Sequence, residues 1–379
     1  MKKILLVSES LARGGMERIL VDISNALVER NYDVTVVLYG QGDALKDELD
    51  KRVHLSYVPR KPLKIRRNLP YFHRRYRNDK WEKRASSRTL YNYYVGHKKY
   101  DVEIGFYRGP SIKIVSGSKN RKSKKLAWVH TDVKLCDPKS LTKFFNDIEE
   151  VKAAYSKFDN IVCVSDKAGE SFSEVIGLNE KISTIYNMIS CERIQTKSLE
   201  ECELRKNRFT FISVGRQIPD KGYMRLLSSV RRLNEEGYEF DLWLIGGGRD
   251  EENLHAYAKE NNLQNVIFAG MQDNPFKYVR QADLFICSSV REGFNIAVAE
   301  SLSLGVPVMT TRCTGPTEIL GDGEYGIIVD NNEEGLYLGM KRVLDNKDIL
   351  KPFAEKAKDR SLTFDENNIM QQIIELIEN

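Results

Sequence analysis

The chain opens on a strand signal. Ile4-Leu5-Leu6-Val7 is an unbroken apolar run with no polar residue alternating through it. A strand apolar on both faces belongs inside a parallel sheet that is covered on both sides. A polar stretch then ends in Gly14-Gly15. From 16 to 30 the apolar residues Met16, Ile19, Leu20, Ile23, Ala26 and Leu27 recur at intervals of three and four, which is one face of a helix. Val34, Val36, Val37 and Leu38 mark the next strand, over 33–39. The result is a β-loop-α-β unit, the building block of a helix-wrapped parallel sheet. Similar runs at 53–58, 102–106, 125–130, 160–164 and 182–186 predict a doubly wound α/β domain over 1–190.

The pattern then repeats. Residues 191–207 are polar and acidic and read as a linker. Strands follow at 209–214, 240–245, 266–269, 283–287, 306–310 and 326–329. Helical periodicity lies between them, as in Met224, Leu226, Leu227, Val230 and Leu233. This predicts a second domain over 208–364. The fold class expected is α/β: two Rossmann-like doubly wound domains facing each other across a cleft. A last helical pattern, Ile369, Ile373, Ile374 and Ile377, fills 365–379.

Composition narrows the classes. Of 379 residues, 41% are hydrophobic and 30% charged, so the chain can fill globular cores and is neither disordered nor fibrous. The net charge of +5 is too small for a dedicated nucleic-acid binder. It hides an asymmetry: 36 basic and 23 acidic residues through position 190 (net +13), against 23 and 31 after it (net −8). No apolar run reaches the roughly 20 residues of a membrane-spanning helix, and the apolar stretch at the start is too short for a signal peptide. The six Cys contain no C-x-x-C pair. A reducing, cytoplasmic setting is expected. Residues 60–88 hold 12 Lys or Arg, two acids, and Tyr71, Phe72, Tyr76 and Trp81. Such a surface suits anionic lipid headgroups; a solvated loop is the other reading. Lys119–Lys125 forms a second basic cluster.

Candidate chemistry sits where strands end, because ligands of such sheets bind at their carboxyl edge. Gly14 and Gly15 lead into a helix N-terminus, where backbone N–H groups can face an anion; a tight turn is the plainer explanation. His130 closes the strand at 125–130. Arg216 and Lys221 share one loop, and two cations at a strand end suit a diphosphate as well as a chance surface pair. Glu292 and Glu300 are eight positions apart around a helix start, about 12 Å if all eight steps are helical. That matches the reach from the sugar of a nucleotide-sugar to its ribose. G-x-G-x-x-G is absent, which disfavours a dehydrogenase.

These residues together resemble a family-4 glycosyltransferase of the GT-B architecture. The resemblance rests on the E-x7-E segment Glu292-Gly-Phe-Asn-Ile-Ala-Val-Ala-Glu300, on Ser213-Val-Gly-Arg216 through Lys221-Gly222, and on Gly14-Gly15-Met-Glu-Arg. It implies that Arg216 and Lys221 hold the donor diphosphate and that Glu300 binds the ribose. Glu292 would bind hydroxyls of the donor sugar, beside the backbone N–H groups of Phe294, Asn295 and Ile296. The segment 270–273, with Gln272, would meet the base. Gly14 and Gly15 would approach the diphosphate from the first domain, and His130 would sit near the reacting sugar. It further implies transfer of a hexose with retention, no general base, no cofactor and no metal, in keeping with the lack of a D-x-D motif. The donor would be a UDP-sugar, or a GDP-sugar. The acceptor would be a glycan or a polyprenyl-diphosphate-linked glycan at the inner face of the cell membrane. The last helix would cross back onto the first domain. A soluble acceptor, an epimerase and a non-catalytic binder of nucleotide-sugars or polyanions are the competing readings.

Overall fold

The computed structural model describes residues 1–58 and 80–379. They form two compact units, Met1–Tyr186 with Met370–Asn379, and Asn187–Ile369.

In the first unit the strands β1 (Lys3–Ser8), β2 (Asp33–Leu38), β3 (His54–Tyr57), β4 (Val102–Gly105), β5 (Lys124–Val129), β6 (Asn160–Cys163) and β7 (Ile182–Thr184) make one sheet. Its order is β3-β2-β1-β4-β5-β6-β7, and the pairings are parallel. Ile4 to Val7 are fully buried, as the unbroken apolar run requires. Helix Gly15–Glu29 turns Ile19, Leu20, Ile23, Ala26 and Leu27 inward. Because β1 pairs with both β2 and β4, the winding reverses between β1 and β4. That reversal is the topological switch point, where the carboxyl edge opens a crevice.

The second unit repeats the scheme with β8 (Thr210–Val214), β9 (Asp241–Ile245), β10 (Val266–Gly270), β11 (Leu284–Cys287), β12 (Val308–Thr311) and β13 (Ile327–Val329). The order is β10-β9-β8-β11-β12-β13, so the switch point lies between β8 and β11.

Three sequence expectations change. The stretch expected as a linker over 191–207 begins with a helix, Cys191–Ser198, that belongs to the second unit and buries Cys191 and Ile194. Two apolar residues one turn apart suffice to dock a helix whose other positions face water, and so polar a composition hid it. The second basic cluster is partly spent inside the fold. Lys124 Nζ donates to Leu376 O at 2.6 Å and Lys125 Nζ to Asn120 O at 2.8 Å. Of the basic aromatic stretch 60–88, residues 60–79 lie outside the described residues. Trp81 meets Tyr93 edge-on at 5.3 Å and packs against the core rather than facing outward.

The helix Glu366–Glu378 ends within the first unit. Met370, Ile373 and Ile377 are buried. Lys2 Nζ reaches Ile377 O at 3.1 Å and Glu378 Oε2 at 2.8 Å, and Tyr32 OH donates to Glu378 Oε1 at 2.7 Å. No helix among the described residues is long and apolar enough to cross a membrane.

Candidate functional site

Five loops at the carboxyl edge of the second sheet are tied into one ledge. Gly215 N donates to Ile245 O and Gln217 N to Gly247 O, joining the loops after β8 and β9. Gly246 N donates to Gly270 O, which adds the loop after β10. On the other side of the switch point, Val290 N donates to Asp220 O at 2.7 Å and Ser288 Oγ to Lys221 O at 2.8 Å. Thr311 Oγ1 donates to Ser289 O at 2.6 Å, bringing in the loop after β12. Gly222 sits where the loops after β8 and β11 touch. Its φ is +67°, and a Cβ there would lie 2.2 Å from Ser288 O, so only glycine fits.

Two predicted residues meet on this ledge. Lys221 Nζ lies 2.5 Å from Glu292 Oε1. Burial by itself lowers the Lys221 ammonium, but the Glu292 charge outweighs it and holds the group above its ordinary value. The same Oε1 accepts from Ser289 Oγ at 2.8 Å and from Asn295 Nδ2 at 3.2 Å. All three bonds land on one oxygen, which leaves Oε2 for an outside partner. Arg216, by contrast, is exposed, and its side chain makes no hydrogen bond or ion pair among the described residues. One cation is therefore fixed by the loop after β11, and the other is free to take an anion.

The helix Ile296–Ser303 begins directly after this loop. Asn295 holds φ at +77°, costly for a residue with a Cβ and of the kind found at functional sites. Its amide secures that conformation by donating to Cys287 Sγ at 3.2 Å as well as to Glu292. Phe294 is buried, its ring 5.4 Å from that of Phe364, so its side chain anchors the loop. Ile296 is the first helical residue and Glu300 lies one turn further on. Only four of the eight steps from Glu292 to Glu300 are helical, so the separation expected from an unbroken helix does not apply. Gln272 is held by its own loop, with Nε2 donating to Ala269 O at 2.6 Å.

Residues that composition and spacing did not mark complete the site. Arg225 donates to Ser288 O at 2.6 and 3.0 Å and to Ser289 O at 2.8 Å, bracing the Glu292 loop. Gln217 is buried, with Nε2 on Gly246 O at 2.9 Å and Oε1 without a partner among the described residues. Their partners lie about 30 and 60 residues away in the chain, so no local pattern announced them.

In the first unit, His130 follows β5 at the carboxyl edge and is buried. Its Nε2 donates to Phe106 O at 3.0 Å. Gly14 caps helix Gly15–Glu29 in an extended conformation that any residue adopts. A Cβ on it would meet Glu17 Oε2 at 2.2 Å. A carboxylate of the chain itself thus lies against the helix N-terminus expected to face the diphosphate.

Comparison with known proteins adds a family to this geometry. Residues 13–193 match the family model described as Glycosyltransferase Family 4, and residues 195–360 match Glycosyl transferases group 1. A Campylobacter jejuni N-acetylgalactosamine-N,N'-diacetylbacillosaminyl-diphospho-undecaprenol 4-alpha-N-acetylgalactosaminyltransferase is 33% identical over 201 residues, 52% of this chain and 54% of that protein. A lipopolysaccharide core biosynthesis glycosyltransferase of Rhizobium meliloti is 29% identical over 53% of this chain and 58% of its own length. The alignments thus span little more than half of these curated relatives. Among solved structures, Anabaena HepE in complex with UDP and glucose superposes with a TM-score of 0.74 at 17% identity, covering 100% of both chains. Sucrose-phosphate synthase from Thermosynechococcus elongatus gives 0.79 at 15% identity, covering 100% of this chain and 98% of that one. These two likenesses establish the fold, two Rossmann-like domains of the GT-B kind.

Proposed function

We propose that the protein moves a hexose from a nucleotide-diphosphate sugar onto a lipid-linked or cell-surface glycan; both halves of the chain match glycosyltransferase family models. The observation that carries this reading is the ledge of the second unit, where an unpaired Arg216 stands on the same loop as Lys221, and Lys221 is locked to Glu292. Arg216 binds the donor diphosphate through its planar fork, and Lys221 adds a point charge. Both stabilise the negative charge that grows on the leaving phosphate as the glycosidic bond breaks, a role for preorganised cations in a partly desolvated site. The N-terminus of helix Ile296–Ser303 adds its dipole. Glu292 Oε2 accepts from a hydroxyl of the donor sugar, while the other oxygen stays tied to Lys221, Ser289 and Asn295. Glu300 accepts from the ribose hydroxyls, and the loop with Gln272 meets the base.

Uracil is the favoured base, since the Anabaena structure holds UDP. The diphospho-undecaprenol acceptor of the Campylobacter relative supports a lipid-linked glycan. The reaction proceeds with retention by front-face attack. The leaving phosphate takes the acceptor's proton, so no side chain serves as general base and the two cations do the work of a metal. Calorimetric titration with UDP-glucose, UDP-N-acetylglucosamine and the matching GDP-sugars tests the donor side. Uridine donors should bind, and Glu300→Ala should weaken them about tenfold, the loss of a charge-assisted hydrogen bond. Unchanged affinity in that variant would refute the ribose role.

A further inference from the structure

The first unit holds a cation for which the fold has no use. Arg108 lies in the loop after β4, one of the two strands at that unit's switch point, and is half-buried. Its single hydrogen bond among the described residues runs from Nη1 to Cys136 Sγ at 3.1 Å. A thiol is a weak acceptor, and a guanidinium has five N–H donors to place. No carboxylate among the described residues pairs with it. Structural arginines of this protein behave differently: Arg225 gives three bonds to two backbone carbonyls, and Arg360 donates to Ile319 O and Glu318 O.

The surroundings of Arg108 favour an anion. It is the one charged residue lining a pocket whose other walls include Val129, Val133, Leu141, Phe145 and Phe172. Apolar walls lower the local dielectric and strengthen a charge pair at the mouth. The space between these walls is only about water-sized, so an anion meets Arg108 at the mouth rather than inside. Phe106, two residues before Arg108, accepts the His130 hydrogen bond. Arg108 and His130 therefore stand on the neighbouring loops after β4 and β5.

We propose that Arg108 is a phosphate-binding residue of the first unit, reading a phosphate or diphosphate carried by the acceptor. The proposal rests on the transferase reading above for its ligand's role, though not for the anion site itself. The phosphate can belong to a lipid-linked sugar or to a soluble sugar phosphate, and the test separates them.

Cys136 reports the site without any turnover. In the full-length protein, inorganic pyrophosphate should slow iodoacetamide labelling of Cys136 several-fold, read by mass spectrometry, and leave Cys202 unchanged. Arg108→Ala should abolish that protection, and Arg108→Lys should keep part of it. In kinetics, Arg108→Ala should raise KM about tenfold for a sugar diphosphate acceptor. It should leave the KM of the donor and of the same sugar's methyl glycoside unchanged. An equal loss with a farnesyl and a methyl diphosphate ester assigns the contact to the phosphates alone; a loss confined to the farnesyl ester makes the source a lipid. If the wild type transfers to no acceptor yet pyrophosphate protects Cys136, the transferase reading fails and the anion site stands. Labelling indifferent to pyrophosphate, or an equal rise in KM for the sugar diphosphate and for the methyl glycoside, overturns the proposal.

Discussion

The two units share one plan and differ in how their carboxyl edges are built. Each has a parallel sheet that reverses beside its first strand, so each has a switch point in the same relative place. In the second unit the loops at that edge hydrogen-bond to one another from β10 across to β12, and Lys221, Ser289 and Asn295 converge on one carboxylate oxygen of Glu292. In the first unit, Arg108 reaches only a thiol, and Glu17 lies over the helix N-terminus. A preorganised edge suits a ligand whose diphosphate does not change. The first unit's loops are tied too, Leu11 N to Gly42 O at 2.8 Å and Gly40 N to Glu9 O at 2.6 Å, but they leave Arg108 on a weak acceptor. Charge follows the same division, +13 through residue 190 against −8 after it. In the acidic half, Arg216 keeps an unpaired positive charge on the ledge.

The largest effect that sharpens this contrast concerns the chain's end. Deleting 370–379 removes Met370, Ile373 and Ile377 from the first unit's core and should cost it about 5 kcal/mol. Hydrogen exchange should show lost protection in β1 and β2, with β8 and β9 unaffected. Loss that begins in the second unit would break the assignment of the tail. The clasp also has a pH sign. Hydrogen bonds from Lys2 and Tyr32 hold the Glu378 carboxyl below its ordinary value. Its contribution is therefore present above the ordinary carboxylate range and is lost as pH falls through the lowered value.

Lys221→Ala comes next. It leaves Glu292 largely buried without its counter-charge, which should destabilise the second unit by about 3 kcal/mol and lower turnover about 100-fold or more. Arg108→Ala strands no carboxylate and should leave thermal unfolding within about 0.5 kcal/mol of wild type. Equal destabilisation by the two substitutions would erase the difference between the edges.

Much of this was legible in the chain. The strands declared themselves because buried parallel strands read as unbroken apolar runs. Arg216, Lys221, Glu292 and Glu300 stood out because strand ends are where such sheets place chemistry. What stayed hidden was set by tertiary contact. Arg225 looks like any helical arginine until its guanidinium is found on Ser288 and Ser289. That Glu292 spends one oxygen on three donors depends on a left-handed Asn295, which no spacing reveals. Helix Cys191–Ser198 passed for a linker because two buried residues make too short a stripe to see. Gly14 shows the same limit: its extended backbone and the Glu17 carboxylate beside it are set by the fold and not by the glycine pair in the sequence.

The central claim is that the ledge of the second unit turns a nucleotide-sugar over rather than merely holding it. The direct measurement is nucleotide release from a UDP-sugar by the full-length protein, with and without a diphosphate-linked glycan acceptor, for wild type and Arg216→Ala. Release that depends on acceptor and falls about 100-fold or more in the variant is the predicted result. Tight donor binding with no acceptor-dependent release from any UDP- or GDP-sugar would contradict the account and leave a binding protein in its place.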